Sequence, residues 1–506
     1  MSNTIFSLVL IAFSAISLYA QNKQDYYWPF GKDQGRNEPG VQAIEIDFNK
    51  LPFEPEQRNG GLEFDQNNAS ICDKEGNLLF YTNGCAVANR EHQIMPNGDS
   101  LNYGFFFQSW WLDDCGNGYP GGQDIMILPD PGNEQGYFII QKPRHRFMDT
   151  GDRIQKNLMF SYVDMSLDNG LGDVTIKDEA FYDGELNWSY LTAIAHANGK
   201  DWWIINPAIK EEGYLTYLLS DEGVRLDQVQ SIGPELDINF TGAAGDAKFS
   251  PDGTQYSFFN HVIGLLLFEF DRQNGTLSNL RQIPFSLGEE LKFATHEWSS
   301  NSRYLYIATQ DSLWQVDTYE DNLEDGRIFI DAYDGVGDPL FNGFFFSALG
   351  PDCRIYLRTG NGTNSFHVIH KPDEPGLDCD FQQRGVRRPR ISATGSFPNF
   401  PRFRVDEEDK CDPSIVSIVG ETVWWRRDLT AYPSPASEYV TVELPEGLRG
   451  QLYVMNMEGQ IVLRQSEVSI AQRLDVSALP AGIYSVEFLP DRNEDRVVYT
   501  ERVVVE

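Results

Sequence analysis

Short apolar segments and turns alternate along most of this chain, from about residue 25 to about residue 405. The segments are rich in Tyr, Phe, Trp, Ile and Val, and Gly, Asn, Asp and Pro separate them. Apolar positions seldom recur at the three- and four-residue spacing of a helix. The pattern therefore predicts an all-β region in which strands follow one another through short turns.

One unit of this pattern recurs: a turn with Gly, Asn or Asp, followed by a strand of aromatic and aliphatic residues. The copies lie roughly 50–60 residues apart, near the longer blade periods of β-propellers. A second apolar strand usually follows, so turn, strand, turn and strand make up the inner half of a four-stranded blade. The clear copies occupy residues 76–81, 135–140, 198–205, 251–258, 301–307 and 351–357.

The repeat predicts a six- or seven-bladed β-propeller over residues 21–405. A single blade cannot cover both of its faces, whereas radial stacking buries them between neighbouring blades. An incomplete unit at 26–46 would supply the extra blade and close the ring against the last one. The alternatives are a β-sandwich, which would need several copies at this length, and a β-helix, whose repeats are much shorter.

The composition changes after residue 405, and the rest of the chain divides into a linker and a small module. Residues 406–428 begin with the charged run 406–410, which favours a solvated linker. Residues 429–506 then alternate as short strands and have the size of a small immunoglobulin-like β-sandwich. The clearest of these strands are 439–444, 451–455, 482–488, 497–499 and 503–505.

Residues 1–20 hold no charged side chain and are predicted to be a signal peptide. Their apolar run, 5–18, is too short to span a membrane, and Ala20 offers a suitable cleavage point before Gln21. The alternative is a buried N-terminal helix. No later stretch reaches about 18 uninterrupted apolar residues, so the sequence predicts no transmembrane segment.

The chain carries 75 acidic and 40 basic residues, which gives a formal net charge of −35. This balance disfavours nucleic acid and anionic membranes as partners, because binding to either needs clustered Lys and Arg. Hydrophobic residues make up 41% and aromatic residues 13%, enough to fill a core. We therefore expect a folded protein that is soluble or attached to a surface.

All six cysteines follow residue 20, and an exported chain would permit disulfides between them. Spacing alone does not decide their connectivity. We expect Cys72 and Cys85 at opposite ends of an intervening strand, which makes a bridge between them difficult. No CxxC pair is present, which disfavours a metal site. The favoured pairs are Cys85 with Cys115, and Cys379 with either Cys353 or Cys411.

The last module resembles the type A C-terminal sorting domain of the type IX secretion system of Bacteroidetes. The resemblance is carried by residues 432–440, by Tyr453-Val454 before Gly459, and by 474–484. The family usually has Asn in place of Ser434, and it often ends in a Lys-rich strand that the tail 501–506 lacks. The resemblance implies Sec export, with the type IX machinery as the partner of residues 429–506. Passage across the outer membrane, then cleavage with surface attachment or release, would follow.

The larger region resembles the propeller-like regions of Bacteroidetes surface proteins, which often stand beside gliding-motility or polycystic-kidney-disease-type domains. This resemblance covers roughly residues 60–405. It implies a fold and a location, but the class has no shared reaction to transfer. The matching residues are 76–84 with 95–98, 123–129 with 131–133, 196–203, 248–253, and the closing element Ser396-Phe397-Pro398-Asn399-Phe400.

A search for catalytic motifs gives no catalytic residue, no cofactor site and no metal site. The sequence lacks HExxH, GxSxG, Walker A and a GxGxxG that opens a helix. His196 could be a general base at the mouth of the propeller, or it could hydrogen-bond the backbone of a neighbouring blade. His296-Glu297 could be metal ligands, and so could His367 with His370, although strand spacing puts this last pair on opposite faces.

Acidic clusters could bind Ca²⁺, but none completes an EF-hand, and solvated turns account for them as well. Two aromatic runs could face a channel and stack on sugar rings, or could fill the core between blades. The acidic clusters are Asp113-Asp114, Asp331 with Asp334 and Asp338, and Asp168-Asn169-Gly170 with Asp173; the aromatic runs are 105–107 with Trp110-Trp111, and 344–346.

These patterns favour an exported cell-surface or secreted protein whose propeller is a non-catalytic binding or adhesion module for a glycan or protein ligand. The alternatives are a secreted carbohydrate-active or other hydrolytic enzyme, and a purely structural role. Two carboxylates about 5–10 Å apart in a channel with aromatic walls would favour the enzyme. A channel closed by apolar side chains would favour the binding module.

Deleting residues 429–506 should keep the protein from reaching the cell exterior, because the resemblance makes this module the signal for outer-membrane passage. Immunoblots of surface, secreted and internal fractions check this expectation, with the intact chain as the control. A truncated chain that still reaches the exterior would show that the module is not a sorting signal.

Overall fold

A computed structural model of the protein describes residues 22–506 with internal gaps. The predicted signal peptide, 1–20, and the charged run 406–410 lie outside the described residues. The gaps are 32–42, 51–54, 65, 110–114, 116–117, 147–152, 209–212, 237–244, 261, 286–293, 338–340, 360–361, 393–394, 406–410, 414, 416–424, 445–447, 457–460, 469–470 and 491–496.

β-Strands dominate the described part of the chain, as the alternating pattern predicts. The α-helix found there is the short α1 (Phe105–Ser109), and 3₁₀ turns occur at Asp168–Gly170 and Gly376–Cys379. Within the described ranges, no helix has the length and apolar character needed to cross a membrane. The chain forms two compact units, Met1–Ile418 and Val419–Glu506.

Seven antiparallel sheets follow one another along the described part of the first unit, and they are the blades of a β-propeller. Within each blade the strands lie in chain order from the inside outward. The first strands contact one another between blades 1, 2 and 3 and between blades 4, 5, 6 and 7, which places them around the central axis. Seven sheets agree with the sequence-based expectation of six or seven blades.

Among the described residues, blades 1 and 2 have three strands, blades 4 to 7 have four, and blade 3 adds β9 beside β10. The strands of blades 1 to 3 are β1 (Tyr27–Phe30), β2 (Ile44–Asp47), β3 (Glu56–Gln57); β4 (Ala69–Cys72), β5 (Leu78–Thr82), β6 (Val87–Asn89); β7 (Ile125–Asp130), β8 (Asn133–Gln141), β9 (Arg144–Arg146), β10 (Arg153–Asp164) and β11 (Asp173–Leu186).

Blades 4 to 7 repeat a regular four-stranded meander, in which each strand pairs with the next one along the chain. Their strands are β12 (Thr192–Ala195), β13 (Trp202–Pro207), β14 (Tyr214–Ser220), β15 (Gly223–Gln230); β16 (Gly245–Phe249), β17 (Gln255–Asn260), β18 (Gly264–Asp271), β19 (Thr276–Ile283); β20 (Ala294–Trp298), β21 (Tyr304–Thr309), β22 (Ser312–Asp317), β23 (Arg327–Ala332); β24 (Phe346–Leu349), β25 (Ile355–Arg358), β26 (Thr363–Ile369) and β27 (Phe381–Ser392).

The turn between β16 and β17, which opens one copy of the recurring unit, shows why Asp and Gly suit this position. Asp252 Oδ1 accepts the N–H of Thr254 at 3.0 Å, and Gly253 has a φ of +72°. A Cβ at position 253 would lie 2.6 Å from Cδ of Arg272 and 2.8 Å from Cδ1 of Ile194. Both the positive φ and the close approach therefore require glycine at this turn.

The core of the propeller lies between the blades. Every position of the central strands β13 and β21 is buried, whereas the outer strand β15 has no buried position. Aromatic rings of adjacent blades meet edge to face, with centroids 5.5 Å apart for Phe80 and Tyr137 and 5.8 Å apart for Tyr214 and Tyr256. Radial stacking thus buries both faces of a blade.

The N-terminal strands close the ring, as the incomplete first unit predicts. Trp28 in β1 is 1% exposed and meets Tyr356 of blade 7 edge to face at 5.9 Å. Phe30 meets Phe366 of the same blade at 5.4 Å. On its other side β1 contacts β4 of blade 2. Blade 1 therefore lies between blades 7 and 2.

The disulfides confirm one predicted pair and correct the other. Cys85 is bonded to Cys115, as predicted. Cys353 is bonded to Cys411, whereas Cys379 is a free, buried thiol, so its predicted pairing is wrong. The 3₁₀ turn that ends at Cys379 packs this side chain into the apolar core between blades 6 and 7. Cys72 is also free and buried.

The second unit is a β-sandwich with a small apolar core, in agreement with the immunoglobulin-like prediction. Its sheets have the orders β28-β35-β34-β31-β32 and β29-β30-β33. β28 falls within the predicted linker and pairs in parallel with β35, and the linker boundaries stay a prediction. The strands are β28 (Trp425–Asp428), β29 (Thr430–Tyr432), β30 (Tyr439–Glu443), β31 (Gly450–Met455), β32 (Ile461–Val468), β33 (Gln472–Asp475), β34 (Gly482–Pro490) and β35 (Val497–Val505).

Replacing Trp28 with Ala should destabilise the propeller by about 3–5 kcal/mol, because a large buried ring is lost where the circle closes. Urea unfolding of the full chain, followed by circular dichroism, measures the loss. The control is Tyr319→Ala, whose ring is 70% exposed and should cost about 1 kcal/mol or less. Equal unfolding curves for the two variants would contradict ring closure through Trp28.

Candidate functional site

A segment that follows the last blade runs through the middle of the ring. We call residues 396–404 the central segment. The N–H of Asn399 donates to the carbonyl of Asn68, beside β4, at 2.8 Å. Its side-chain amide donates to the carbonyls of Ile125 at 3.0 Å and Leu191 at 3.2 Å. One side chain of the central segment therefore joins blades 3 and 4 while its backbone joins blade 2.

Arg402 connects the central segment to blades 4, 5 and 6. Its N–H donates to the carbonyl of Ala193 at 2.9 Å. The guanidinium donates to the carbonyl of Phe249 at 2.8 Å and to Oε1 of Glu297 at 2.8 Å. These bonds occupy polar groups at the inner edges of the blades, which would otherwise face the channel.

Aromatic side chains of the central segment fill part of the channel. Phe397 and Phe400 pack against Trp28, with centroids 5.3 and 6.3 Å away, and Phe403 meets Trp202 at 5.7 Å. The closing element that the sequence singled out thus occupies the axis of the ring. A smaller cavity is left beside it.

This central cavity has a volume of about 330 Å³ and is bounded by the inner ends of blades 2 to 7 and by the central segment. The volume lies at the lower end of the range for small-ligand sites. Aromatic and polar side chains share the lining. The aromatic ones are Trp188, Phe249, Phe345, Phe346, Phe397 and Phe400, and the polar ones include Gln66, Gln123, Arg144, Ser189, Thr192, Asp246, Lys248, Thr295, Glu297, Ser347, Asn399 and Arg402.

Lys248 is the centre of a charged network on one wall. Its Nζ lies 2.6 Å from Oε2 of Glu297 and 3.5 Å from Oδ2 of Asp246. It also donates to the carbonyl of Ser347 at 2.9 Å. The alternation of β16 turns Asp246 and Lys248 to the same side, and neighbouring first strands bring the other two residues to them. Two carboxylates thus converge on one ammonium group.

Each carboxylate oxygen of Glu297 accepts two hydrogen bonds. Oε1 accepts from Arg402 and from the N–H of Trp298, and Oε2 accepts from Lys248 and from the N–H of Leu349. Burial by itself raises the pKa of Glu297, but Lys248 and Arg402 outweigh it and hold the pKa below its usual value. Glu297 is therefore a fixed carboxylate at neutral pH.

Asp246 begins a chain of hydrogen bonds that leads away from the cavity. Its Oδ1 lies 2.5 Å from Nδ1 of His296, and Nε2 of His296 lies 2.6 Å from Oγ of Ser257. Burial raises the pKa of Asp246, yet His296 and Lys248 together lower it below its usual value. Trp298 Nε1 also donates to Ser257 Oγ, at 2.9 Å. The chain joins blades 5 and 6.

A second charged group lies in blade 3 beside the cavity, and its member Arg144 lines the cavity. Lys142 Nζ is 3.8 Å and the Arg144 guanidinium 3.5 Å from the carboxylate of Asp124. Burial lowers the pKa of Lys142 to about 7; Asp124 opposes this shift and Arg144 adds to it. The guanidinium carbon of Arg144 lies 3.6 Å from the ring centroid of Trp188, a close cation–π stack.

The histidines that the sequence singled out occupy structural positions. His196 accepts the N–H of Asn198 within its own turn and stacks on Trp203, and among the described residues its side chain makes no hydrogen bond to a neighbouring blade. His367 is buried against Phe344, and its Nε2 lies 2.8 Å from the carbonyl of Asn342. Burial lowers the pKa of His367 to about 3.

The predicted metal and Ca²⁺ residues do not form a metal site in the described part of the chain, where no group of three His, Cys, Asp or Glu could hold an ion. His296 pairs with Asp246 instead, and His370 Nε2 lies 3.2 Å from Gln382. Asp334 pairs with Arg384, and Asp331 accepts from Gln383. Asp168, Asn169 and Gly170 form a 3₁₀ turn before Asp173. Asp113, Asp114 and Asp338 lie outside the described residues.

The second aromatic run reaches the cavity, as one of its two interpretations expects. Phe345 and Phe346 line the cavity, whereas Phe344 is buried in the core between blades 6 and 7. The first run is placed differently: residues 105–107 begin α1, and Trp110-Trp111 lie outside the described residues.

The sequence analysis did not identify four charged residues of the site, namely Asp246, Lys248, Arg144 and Arg402. For Asp246 and Lys248 a signal exists, namely charged residues inside a strand that has Gly, Ala and Phe at its other positions. Asp246 and Lys248 alternate within the first strand of a blade, where a buried face leaves little room for unpaired charge.

Comparison with known proteins identifies the C-terminal module. Residues 430–506 match the family described as the secretion system C-terminal sorting domain. No curated protein matches the chain.

Solved structures similar to this chain are distant. The periplasmic gluconolactonase PpgL of Pseudomonas aeruginosa is 11% identical, with a TM-score of 0.37, over 72% of this chain and 97% of that chain. PorZ of Porphyromonas gingivalis, an essential bacterial surface component of the type-IX secretion system, is 10% identical, with a TM-score of 0.28, over 92% and 68%. The β-propeller domain of Cps50 (Swd1) from Myceliophteria thermophila is 9% identical, with a TM-score of 0.34, over 67% and 91%.

At these values the similarity carries no argument about activity, whereas the match of the last 77 residues does bear on location. A module of this kind directs the chain that carries it through the type IX secretion system. The protein is thus an all-β propeller that ends in a type IX secretion system C-terminal sorting domain, and it is secreted or attached to the cell surface.

Proposed function

We propose that the propeller of this secreted protein is a non-catalytic binding module that holds a sugar unit of a glycan in the central cavity. The observation that carries the proposal is the cavity itself, which combines aromatic rings with fixed hydrogen-bonding groups. Sugar rings present an apolar face and a hydroxylated edge, so such a lining suits them. Surface exposure of the protein gives it access to glycans outside the cell.

The state of the two carboxylates argues against hydrolysis of the bound sugar. A glycosidase needs one carboxyl group that stays protonated to act as an acid, which requires a raised pKa. Lys248 and its partners hold the pKa values of Asp246 and Glu297 below their usual values instead. Both carboxyl groups are therefore ionised near neutral pH and already paired with cations. This state suits groups that orient a bound ligand and not groups that donate a proton.

The Ser257–His296–Asp246 chain has the order of a nucleophilic triad but not its accessibility. Ser257 and His296 are both fully buried, and neither is among the described residues that line the cavity. Ser257 Oγ also donates to the carbonyl of Lys248 at 3.0 Å, so the hydroxyl proton lies in a hydrogen bond to the backbone. A substrate in the cavity would have no path to this hydroxyl, and the chain is better described as a bond between blades.

Replacing Glu297 with Gln should cost about 3–5 kcal/mol at pH 7, because Lys248 and Arg402 lose their buried carboxylate. The pKa of Glu297 is lower in the folded than in the unfolded chain. Its stabilisation is therefore complete above the unfolded pKa of about 4 and is lost as pH falls below that value. Urea unfolding at pH 7 and at pH 3 should show the difference from wild type shrinking in acid.

The matched control for this test is Glu56→Gln. Glu56 lies 2.6 Å from Lys50, the same distance as in the buried pair, but both side chains are about half exposed. Its loss should cost about 1 kcal/mol or less at either pH. An E297Q variant at least as stable as wild type at pH 7 would point to a protonated Glu297 and reopen an acid role.

Filling the cavity should weaken glycan binding strongly. Ala348→Trp places an indole on a strand that lines the cavity, and Ala332→Trp places one on the exposed strand β23 as the control. Titration of the full chain with the best ligand from a glycan array should show a loss of at least about tenfold for A348W and little change for A332W. Phe345→Ala, which removes one aromatic wall, should weaken binding as well.

Equal affinity in A348W and A332W would place the ligand elsewhere on the protein. Release of shortened glycan products during the titration would show turnover and overturn the non-catalytic assignment. No binding to any glycan on the array would overturn the proposed function.

A further inference from the structure

We propose that the central cavity takes the terminal sugar unit of a glycan chain, with the hydroxyl group farthest from the rest of the chain bound by Arg402. This inference rests on the proposed function and specifies which part of a glycan the cavity holds. A terminal unit carries one glycosidic bond, whereas a unit inside a chain carries two. The difference matters because bonds between blades close one end of the cavity.

The first strands of blades 5, 6 and 7 run in the same direction along the cavity. Oγ1 of Thr295 in blade 6 donates to Oδ2 of Asp246 in blade 5 at 2.6 Å. Two residues further on in each strand, Nζ of Lys248 donates to Oε2 of Glu297 at 2.6 Å. The same step of two residues separates their partners in blade 7, Ser347 and Leu349. Strands whose contacts advance together in this way are parallel and in register.

The starts of the first strands therefore mark one end of the cavity, which we call the rim. The opposite end, which we call the floor, holds Phe249, Glu297 and Leu349. The two ends are roughly 13 Å apart, because four steps of about 3.3 Å each separate Gly245 from Phe249. The lining residues at or just before the start of a first strand are Gln123, Ser189, Gly245, Ala294 and Phe345.

Bonds between blades close the floor. Glu297 accepts from Lys248 of blade 5, from the N–H of Leu349 in blade 7 and from Arg402 of the central segment. Arg402 extends these contacts to blade 4, where its N–H donates to the carbonyl of Ala193. Passage of a ligand between these residues would break buried, charged hydrogen bonds, which is costly. Among the described residues, a chain that enters at the rim thus has no exit between blades 4 and 7.

A closed floor favours a terminal sugar unit over an internal one. The single glycosidic bond of a terminal unit leaves at the rim, whereas the second bond of an internal unit would need an opening at the floor. The cavity volume, about 330 Å³, is small for a ligand site and agrees with a single unit. In a pyranose ring, C4 lies across the ring from C1, the carbon of the glycosidic bond. With C1 at the rim, the C4 hydroxyl therefore points to the floor.

Arg402 offers hydrogen-bond donors at the floor. Its Nε donates to the carbonyl of Phe249 and its Nη2 to Oε1 of Glu297. Its Nη1 has no hydrogen-bond partner among the described residues and is not buried. The side chain is 20% exposed and lines the cavity. Because Glu297 offsets the charge of the guanidinium, the donors on Nη1 suit the neutral oxygen of a sugar hydroxyl.

A glycan array tests whether the full chain binds terminal units, because arrayed glycans are attached through their reducing ends and present the other ends. Glycans that share a terminal unit should bind with affinities within about threefold of one another, whichever units follow. Addition of one different unit to that end should lower the affinity about tenfold or more. The former terminal unit then carries a second bond, for which the floor has no opening.

Single sugars test the contact with Arg402. The probes are the methyl glycosides of glucose, galactose, mannose, xylose and N-acetylglucosamine, each of which copies one terminal unit. We expect at least one of them to displace the full chain from the array. Its 4-deoxy analogue, measured by titration calorimetry, should bind about tenfold weaker, because Nη1 loses its acceptor.

A variant of Arg402 separates binding from support of the fold. Arg402→Lys keeps a cation beside Glu297 but removes Nη1, so the methyl glycoside and its 4-deoxy analogue should bind this variant equally. A purely structural loss would weaken both probes to the same extent and leave the tenfold difference. The control is Arg281→Lys: Arg281 donates to the carbonyl of Thr318 at 2.8 Å and is not on the cavity. It should leave both affinities unchanged.

Each outcome has a separate meaning. Glycans that bind equally well with and without the added unit would overturn the inference and leave the proposed function standing, and so would a failure of every methyl glycoside to displace the chain. Equal binding of the methyl glycoside and its 4-deoxy analogue to wild type would overturn the role of Arg402. This comparison needs no variant, so it stands even if R402K does not fold. Binding to no arrayed glycan would overturn the proposed function as well.

Discussion

Hydrogen bonds between the central segment and the inner edges of the blades are the contacts on which the rest of this structure depends. A ring of sheets leaves backbone N–H and C=O groups facing its axis, and these groups need partners. Asn399 and Arg402 supply them to blades 2 to 6, and a parallel bridge pairs Arg402 with Ile194. The same residues close most of the channel and shape the cavity that remains. The contacts that join the central segment to the blades therefore also define the candidate site.

The charged side chains around the cavity form buried pairs, whereas those on the surface form exposed pairs. The surface is acidic, with exposed pairs such as Lys50 and Glu56 that contribute little to stability. The cavity walls hold buried ion pairs, and in one of them, Lys248 with Glu297, the members come from separate blades. Because each partner depends on the other, these pairs fix the position of the blades as well as the polarity of the site. A ligand would meet groups that are already oriented.

Much of the fold could be predicted from the sequence, because the strand pattern and the recurring turns are local. The propeller, its closure by the N-terminal strands and the Cys85–Cys115 bridge all follow from such signals. The bond between Cys353 and Cys411 did not, since it depends on where the last blade places two distant turns. Most of the candidate site could not be predicted from the sequence for the same reason. Alternation shows that Lys248 lies on a strand, but not that Glu297, Asp246 and Arg402 meet it at the axis.

A crystal structure of the full chain with its best glycan-array ligand bound would test the central claim most directly, namely that the ring encloses a binding site at its axis. The account predicts the sugar inside the cavity, with its ring beside the aromatic lining residues Phe345 and Phe346. The central segment should keep its bonds to the blades. A sugar bound outside the ring, or a channel whose central segment has left the axis, would contradict the account.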